Sequence, residues 1–222
     1  MIKTDFQKFA SSKGINSLTL HDYNKFINGY ISPTIIEERQ MHVTQMDVFS
    51  KLIQERQIFL GTGIDADVAN IINAQLLYLD SVGTDDDITI LVNTPGGSVI
   101  DGLSIYDTMN YIVSDVSTIT VGMAASMGSI IASSGTKGKR FILPHSRFLL
   151  HQPLGGCKGQ ASDIEIEYKE IQYMKEELYK ILAENTGQSF DKIYKDADRD
   201  FWLTADESVN YGLVDSIIKK RI

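Results

Sequence analysis

The chain has 222 residues, of which 43% are hydrophobic, and carries a formal net charge of −8. This length allows one substantial α/β core but not two comfortable domains. The negative charge, and a longest basic run of only Lys219 to Arg221, argue against a nucleic-acid partner.

The N-terminal region and the cysteine content help to predict the cellular location of the protein. Residues 1–30 are polar and lack the continuous apolar core of a signal peptide, so we predict an N-terminal extension or propeptide there, followed by one domain over residues 31–222. The single Cys157 cannot form an internal disulfide, which favours a reducing, cytoplasmic location. Residues 116–134 are too rich in Ser, Thr, Gly and Ala for a membrane span.

From Phe49 onward, short β-rich runs alternate with segments of helical periodicity. This order predicts βαβ crossovers and a mostly parallel sheet, with functional groups at the carboxyl ends of the strands. The predicted strands are Gln57–Leu60, Ile88–Val92, Val116–Val121 and Arg147–Leu150. The predicted helices lie over residues 68–79, 100–109 and about 160–184, and a capping box at Thr204–Glu207 starts a short helix that Gly212 ends.

One loop that leaves a predicted strand, Asn93–Ser98, is rich in glycine. Its backbone amides are suited to binding an anion, either a phosphate or an oxyanion. The full phosphate-binding and dinucleotide-binding signatures are absent. An ordinary strand-to-helix turn explains the glycine pair better when it is considered alone.

A second loop, Gly122–Gly128, places Ser126 among small residues just after a β-rich run. On local sequence alone, a helix cap or a small helix-packing residue explains this serine better than a nucleophile does. His151 ends a strand and suits a general base, but His21, His42 and His145 compete for that role. Several aspartates between residues 191 and 200 are candidates for the group that orients a base, although most suit a solvated face.

Taken together, these segments resemble the proteolytic subunits of the Clp protease, the ClpP family. That family carries its nucleophile in Gly-x-Ala-Ala-Ser-Met-Gly and its base in His-Gln-Pro, and both motifs stand here unaltered, around Ser126 and His151. The match extends over about residues 30–222. It includes Asn93–Gly97, Ser104–Met109, Gly135–Phe141, Gly155–Ile166 and Tyr211–Asp215.

The resemblance implies roles for individual residues. Ser126 would be the nucleophile, His151 the base and Asp200 the third member of a catalytic triad, with the backbone amides of Gly97 and Met127 as the oxyanion hole. It further implies that Leu77, Leu91 and Tyr111 help to form an apolar pocket for a partner loop. No cofactor and no metal are implied.

The resemblance also implies an architecture and partners. The expected fold is α/β and crotonase-like, built of repeated ββα units with a protruding helical handle after residue 160 and an adjoining strand at Gly155–Gly159. Family members form homo-oligomers of two stacked heptameric rings. They receive unfolded protein substrates from a hexameric ATP-dependent AAA+ unfoldase and cut them to short peptides inside the chamber.

Three other functions are alternatives to serine endopeptidase activity. A catalytically silent ring subunit would not require the intact Ser126, His151 and Asp200. An acyl-CoA enzyme of the crotonase group would use Gly-rich loops but needs no serine and histidine in these motifs. A signal-peptide peptidase of related fold would need a membrane anchor and a serine/lysine pair, and neither is visible.

Overall fold

The structure is a computed structural model that describes residues 34–39, 42–83, 85–156 and 158–220. The predicted extension over residues 1–30 lies outside the described residues, as do His21 and Cys157. Contacts divide the chain after Lys51 into two compact units. In the described part of the first unit, strands β1 (Thr34–Arg39) and β2 (His42–Asp47) pair antiparallel.

The second unit contains a seven-stranded sheet. Its strands are β3 (Gln57–Leu60), β4 (Ile88–Thr94), β5 (Val116–Ala125), β6 (Arg140–Ile142), β7 (Arg147–Leu150), β8 (Phe201–Leu203) and β9 (Ser216–Ile217). The helices are α1 (Val48–Gln54), which crosses the boundary between the units, α2 (Ala66–Val82), α3 (Val99–Tyr111), α4 (Met127–Ser133), α5 (Ala161–Thr186), α6 (Phe190–Asp196) and α7 (Ala205–Tyr211). The four strands and the helices predicted from periodicity are therefore present, and the α/β class is confirmed.

The sheet is mostly parallel, as predicted, and it divides at its longest strand. Strands β3, β4 and β5 are parallel neighbours. The first half of β5 pairs with β6, through Thr118–Thr120, while its last residues, Met123–Ala125, pair with β7. Strand β8 joins the far side of β7 in the antiparallel direction. Strand β7 therefore lies between the end of β5 and β8.

The core lies between the sheet and the helices that cross it. In β4, alternate residues Ile88, Ile90 and Val92 are fully buried. The facing stripe of α2 buries Ile72 and Leu76, with the helical spacing that the sequence predicted. Parallel strands covered in this way must be apolar, which explains the β-branched runs.

Helix ends follow the predicted signals. The Thr204 side chain accepts from the Glu207 N–H, and the Glu207 carboxylate accepts from the Thr204 N–H at 2.7 Å, which completes the capping box. Gly212 ends α7 at φ 91°, and a Cβ there would lie 2.3 Å from the carbonyl oxygen of Thr186. Glycine is therefore required both for the left-handed turn and for the close approach to the end of α5.

Helix α5 is exposed along its first half and buried along its second. Ile164 and Ile166 are 41% and 66% exposed, whereas Leu178 and Leu182 belong to the core. The predicted strand at Gly155–Gly159 is not formed by the described residues of this segment. A strand needs hydrogen-bonding partners, and within the described single chain this segment has no pairing strand. No helix of the described residues is long and apolar enough to cross a bilayer.

A buried ion pair links the start of β6 and the residue before β9 to the ends of α4 and α5. Arg140, 5% exposed, donates to both carboxylate oxygens of Asp215, at 2.6 and 3.1 Å. The same guanidinium donates to the carbonyl oxygens of Ser133, at the end of α4, and Asn185, near the end of α5. Burial alone would raise the pKa of Asp215, but the hydrogen bonds and charge of Arg140 outweigh it and lower that pKa.

We expect Asp215→Asn to lower the free energy of unfolding at pH 7 by about 3 to 5 kcal/mol, because it leaves the Arg140 cation buried without its counter-charge. Folding lowers the Asp215 pKa below its ordinary 3.8, so the stabilisation is complete above that value and lost as the pH falls through the lowered pKa. Urea unfolding at pH 7 and near pH 3 measures both effects.

The control for this prediction is Glu165→Gln, which removes an exposed ion pair with Lys169 on α5 and should change the urea midpoint little. If the urea midpoint of Asp215→Asn differs from that of the unmodified chain by no more than the midpoint of Glu165→Gln does, the pair has no stabilising role.

Candidate active site

Ser126 occupies a backbone conformation that few non-glycine residues adopt. It lies between β5 and α4 with φ 54° and ψ −123°. Such a conformation costs about 1 to 3 kcal/mol and persists only where the surroundings enforce it. Here the Ser126 N–H donates to the Leu149 carbonyl oxygen at 2.9 Å, which fixes the turn against β7.

The position of Ser126 tests its interpretation as a helix cap. Ser126 is the N-cap residue of α4, but its side chain makes no capping hydrogen bond. Its carbonyl oxygen instead accepts from the N–H and the hydroxyl of Ser129. A helix cap therefore does not explain the hydroxyl, which is left available at the surface of a cleft.

The glycine-rich loop after β4 lies directly against this turn. A Cβ on Gly96, at φ 89°, would lie 2.7 Å from the Ser126 Cβ and 2.9 Å from the Met127 nitrogen. A Cβ on Gly97, at φ 154°, would lie 2.1 Å from the Ile64 carbonyl oxygen. Gly96 is therefore required for the loop to reach the serine turn, and Gly97 for the loop to lie against Ile64.

The two predicted oxyanion donors carry available N–H groups. The Ile64 N–H donates to the Gly96 carbonyl oxygen, and the Ser98 N–H donates to the Ile64 carbonyl oxygen. The Gly97 N–H, between these two bonds, takes part in neither. Met127 is the first residue of α4, where an N–H has no carbonyl one turn back. Neither N–H has a hydrogen-bond partner among the described residues. Met127 directly follows Ser126, and Gly96, the neighbour of Gly97, lies against the Ser126 turn.

Thr94, at the end of β4, holds the glycine loop from below. The residue is fully buried, and its hydroxyl donates to the Thr62 carbonyl oxygen at 2.6 Å while accepting from the Gly96 N–H at 3.1 Å. A Cβ on Gly128 would lie 2.5 Å from the Thr94 methyl carbon. One side chain therefore sets the position of the glycine loop and its spacing from α4.

Strand register brings His151 and Asp200 together. The antiparallel pairing of β7 with β8 matches Leu150 with Phe201, so the next residue outward on each strand lies opposite the other. Those residues are His151 and Asp200, and the His151 Nδ1 lies 3.3 Å from Asp200 Oδ1. Parallel pairing of β7 with β5 places Ser126 at the same edge.

A narrow cleft contains the serine and the histidine. Its lining is Val99, Ser126, Met127, Ser129, Ile130, Leu150, His151, Pro153, Leu178, Tyr179 and Leu182. The cleft is mostly apolar, and its volume of about 20 Å³ leaves room for roughly one water molecule. The described residues include no hydrogen bond between the Ser126 hydroxyl and the His151 ring. The side chain of Asp200 is 65% exposed. The single chain thus brings the groups together without completing their hydrogen bonds.

The competing residues lie elsewhere or have other partners. His145 is exposed in the turn before β7, His21 lies outside the described residues, and the side chain of His42 is not described. Burial raises the pKa of Asp196, but hydrogen bonds from Lys192 and Tyr211 outweigh it and lower that pKa, so this aspartate is already paired.

The sequence did not point to two polar residues beside the pair of His151 and Asp200. Gln152 donates from Nε2 to the Asp198 carbonyl oxygen at 2.8 Å, and Lys175 of α5 donates to Gln152 Oε1 at 3.3 Å. Burial raises the pKa of Tyr179 to about 12, which keeps its hydroxyl protonated as a donor to the Ala197 carbonyl oxygen. The sequence pattern could have indicated Lys175, because a charged residue on the apolar stripe of α5, between Ile171 and Leu178, is unusual.

The residues predicted to bind a partner loop lie on the surface of the second unit. Leu77 on α2 is 46% exposed, Tyr111 at the end of α3 is 81% exposed, and Leu91 of β4 is half-buried. Their role stays a prediction. Among the described residues, no three His, Cys, Asp or Glu side chains converge as a metal site requires.

Comparison with known proteins identifies the family. A family model described as Clp protease matches residues 38–221. The ATP-dependent Clp protease proteolytic subunit of Bacteroides fragilis (strain YCH46) is 56% identical over 218 residues, covering 98% of this chain and 99% of the relative.

Two further relatives carry the same description. That of Porphyromonas gingivalis is 56% identical over 217 residues, covering 97% of this chain and 98% of the relative. That of Bacteroides thetaiotaomicron is 54% identical over 218 residues, with 98% and 99% covered. The chain therefore belongs to the Clp protease family, as a serine peptidase.

Proposed function

We propose that Ser126, His151 and Asp200 form the catalytic triad of an endopeptidase that cuts unfolded polypeptides. The observation that carries this proposal is the register of β7, which pairs with β5 and β8 and so gathers the three residues at one edge. The intact motifs around Ser126 and His151 support the same assignment.

In this mechanism, His151 takes the proton of the Ser126 hydroxyl while the oxygen attacks a peptide carbonyl carbon. The carbonyl oxygen gains negative charge and is stabilised by the N–H groups of Gly97 and Met127. The tetrahedral intermediate collapses as His151 delivers the proton to the leaving amine. Water then repeats the attack on the acyl-enzyme and regenerates Ser126.

Asp200 holds the proton of His151 on Nδ1, so that Nε2 is free to accept from the serine. At 3.3 Å and with a largely exposed carboxylate, this contact is long for a charge-assisted hydrogen bond. Catalytic hydrogen bonds often shorten only in the substrate complex. We expect assembly or substrate binding to shorten this one.

We further propose that the chain works as part of a homo-oligomer of two stacked seven-membered rings, fed by a hexameric ATP-dependent unfoldase. The names of the relatives, which describe a proteolytic subunit of an ATP-dependent protease, support a separate ATPase partner. The exposed apolar side chains Ile164 and Ile166 on the first half of α5 support contact with another copy, as do the described residues of Gly155–Gly159, which pair with no strand. Leu77, Leu91 and Tyr111 are proposed to receive a loop of the unfoldase.

We expect Ser126→Ala to abolish cleavage of a short fluorogenic peptide while leaving assembly unchanged, because one oxygen is removed and the half-buried site loses little packing. Turnover by the purified particle measures activity, and native mass measures assembly. Wild-type turnover in the variant would refute the triad. An inactive unmodified particle would favour the alternative, a catalytically silent ring subunit.

We expect Thr94→Val to lower kcat about 10- to 100-fold. Valine keeps the side-chain shape but leaves the Gly96 N–H without its acceptor, so the glycine loop that carries the Gly97 N–H is displaced. Thr94→Ser keeps the hydroxyl and should retain most of the activity. Steady-state peptide hydrolysis compares the two variants. Equal losses in both would mean that packing, and not the hydroxyl, positions the loop.

A further inference from the structure

Lys175 is a buried cation that the proposed mechanism does not use. It lies on the core-facing stripe of α5, is 6% exposed, and has no carboxylate within ion-pair distance among the described residues. Its ammonium lies 4.3 Å from the ring centroid of Tyr194 and 5.5 Å from that of Tyr179. Burying a cation without a counter-charge is unfavourable, whereas an apolar side chain would fit the same stripe without that penalty.

The hydrogen bond made by Lys175 leads towards the active site. Its Nζ donates to Oε1 of Gln152, the residue that follows His151. An ammonium can only donate, so it fixes which end of the Gln152 amide faces α5. The amide nitrogen is thereby directed away from Lys175, and it donates to the Asp198 carbonyl oxygen at 2.8 Å.

That second bond joins the two loops of the His151–Asp200 pair. Gln152 follows the base by one residue, and Asp198 precedes Asp200 by two. Ladder pairing between β7 and β8 ends at Leu150 and Phe201, so it does not extend to the residues that must meet. Tyr179, one turn beyond Lys175 on α5, adds a bond from its hydroxyl to the Ala197 carbonyl oxygen at 3.1 Å.

We propose that Lys175 and Gln152 are positioning residues for catalysis, which hold the Asp200 loop against His151 through the hydrogen bonds from Lys175 to Gln152 and from Gln152 to Asp198. The inference rests on the proposed triad. These two hydrogen bonds, called the relay below, act on the orientation of the base and not on the walls of the substrate cleft. Its loss therefore lowers kcat and leaves KM nearly unchanged.

The decisive variant is Gln152→Glu in the full-length, assembled protein. A glutamate keeps the acceptor for Lys175 and supplies the missing counter-charge, so the local structure is retained. It has no N–H to donate to the Asp198 carbonyl oxygen, so the link to the Asp200 loop is lost. We expect kcat for a fluorogenic peptide to fall about 10- to 100-fold, with the thermal midpoint unchanged or raised.

Variants of the lysine test the other half of the relay. Lys175→Met removes the donor but keeps an unbranched apolar stem, and we expect a loss of kcat similar to that of Gln152→Ala. The double variant, Lys175→Met with Gln152→Ala, should lose no more kcat than the more impaired of the two single variants, because both residues act through the same two hydrogen bonds. Lys175→Arg keeps a cationic donor and should recover most of the activity.

The matched control is Lys180→Met, the same substitution on the same helix at a residue whose ammonium is bonded to Glu177. It should leave kcat and KM unchanged. Native mass confirms assembly for each variant, and where Lys175→Met fails to assemble, Gln152→Glu decides the question.

Wild-type kcat in assembled Gln152→Glu would overturn the relay, and so would multiplicative losses in the double variant. Either result together with an inactive Ser126→Ala variant would leave the triad standing and remove only the relay. Turnover by Ser126→Ala itself would refute the triad on which the inference rests.

Discussion

The arrangement of the active site depends on the pairing of one short strand. Strand β7 lies between the end of β5 and the start of β8, parallel to one and antiparallel to the other. Ser126 follows β5, His151 follows β7 and Asp200 precedes β8, so the three residues meet because the strands on which they depend are neighbours. A shift of one residue in either pairing would turn His151 or Asp200 to the opposite face of the sheet.

The second constraint is the close approach of two backbone turns. The strained turn at Ser126 is held by the Leu149 carbonyl oxygen, and Gly96 fits against this turn only without a side chain. Gly97 fits in the same way against the backbone of Ile64. Thr94 fixes the loop from the end of β4. The N–H groups of Gly97 and Met127 thus belong to elements held by the core of the sheet. Donors held in this way suit the oxyanion role proposed for them, because they need no reorganisation during the reaction.

The sequence predicted four of the seven strands of the sheet, its principal helices and the caps of α7, because buried parallel strands and capping residues leave strong local patterns in Ile88–Val92 and Thr204–Glu207. The assignment of Ser126 and His151 required the family resemblance, since neither residue stands out locally. The Gln152 and Lys175 contacts depend on the docking of α5 beside the loop that follows β7, which no local pattern encodes. The described residues of Gly155–Gly159 do not form the expected strand, because the described single chain offers them no pairing strand.

The most direct test of the account is to treat the assembled protein with a fluorophosphonate, measure the intact mass and map the modified peptide. An activated serine forms a covalent adduct only when its base is in place. The account predicts one adduct per chain, on Ser126, and none in the His151→Ala variant. An adduct on another residue, undiminished labelling of His151→Ala, or no labelling of a particle shown to be a complete double ring would contradict it.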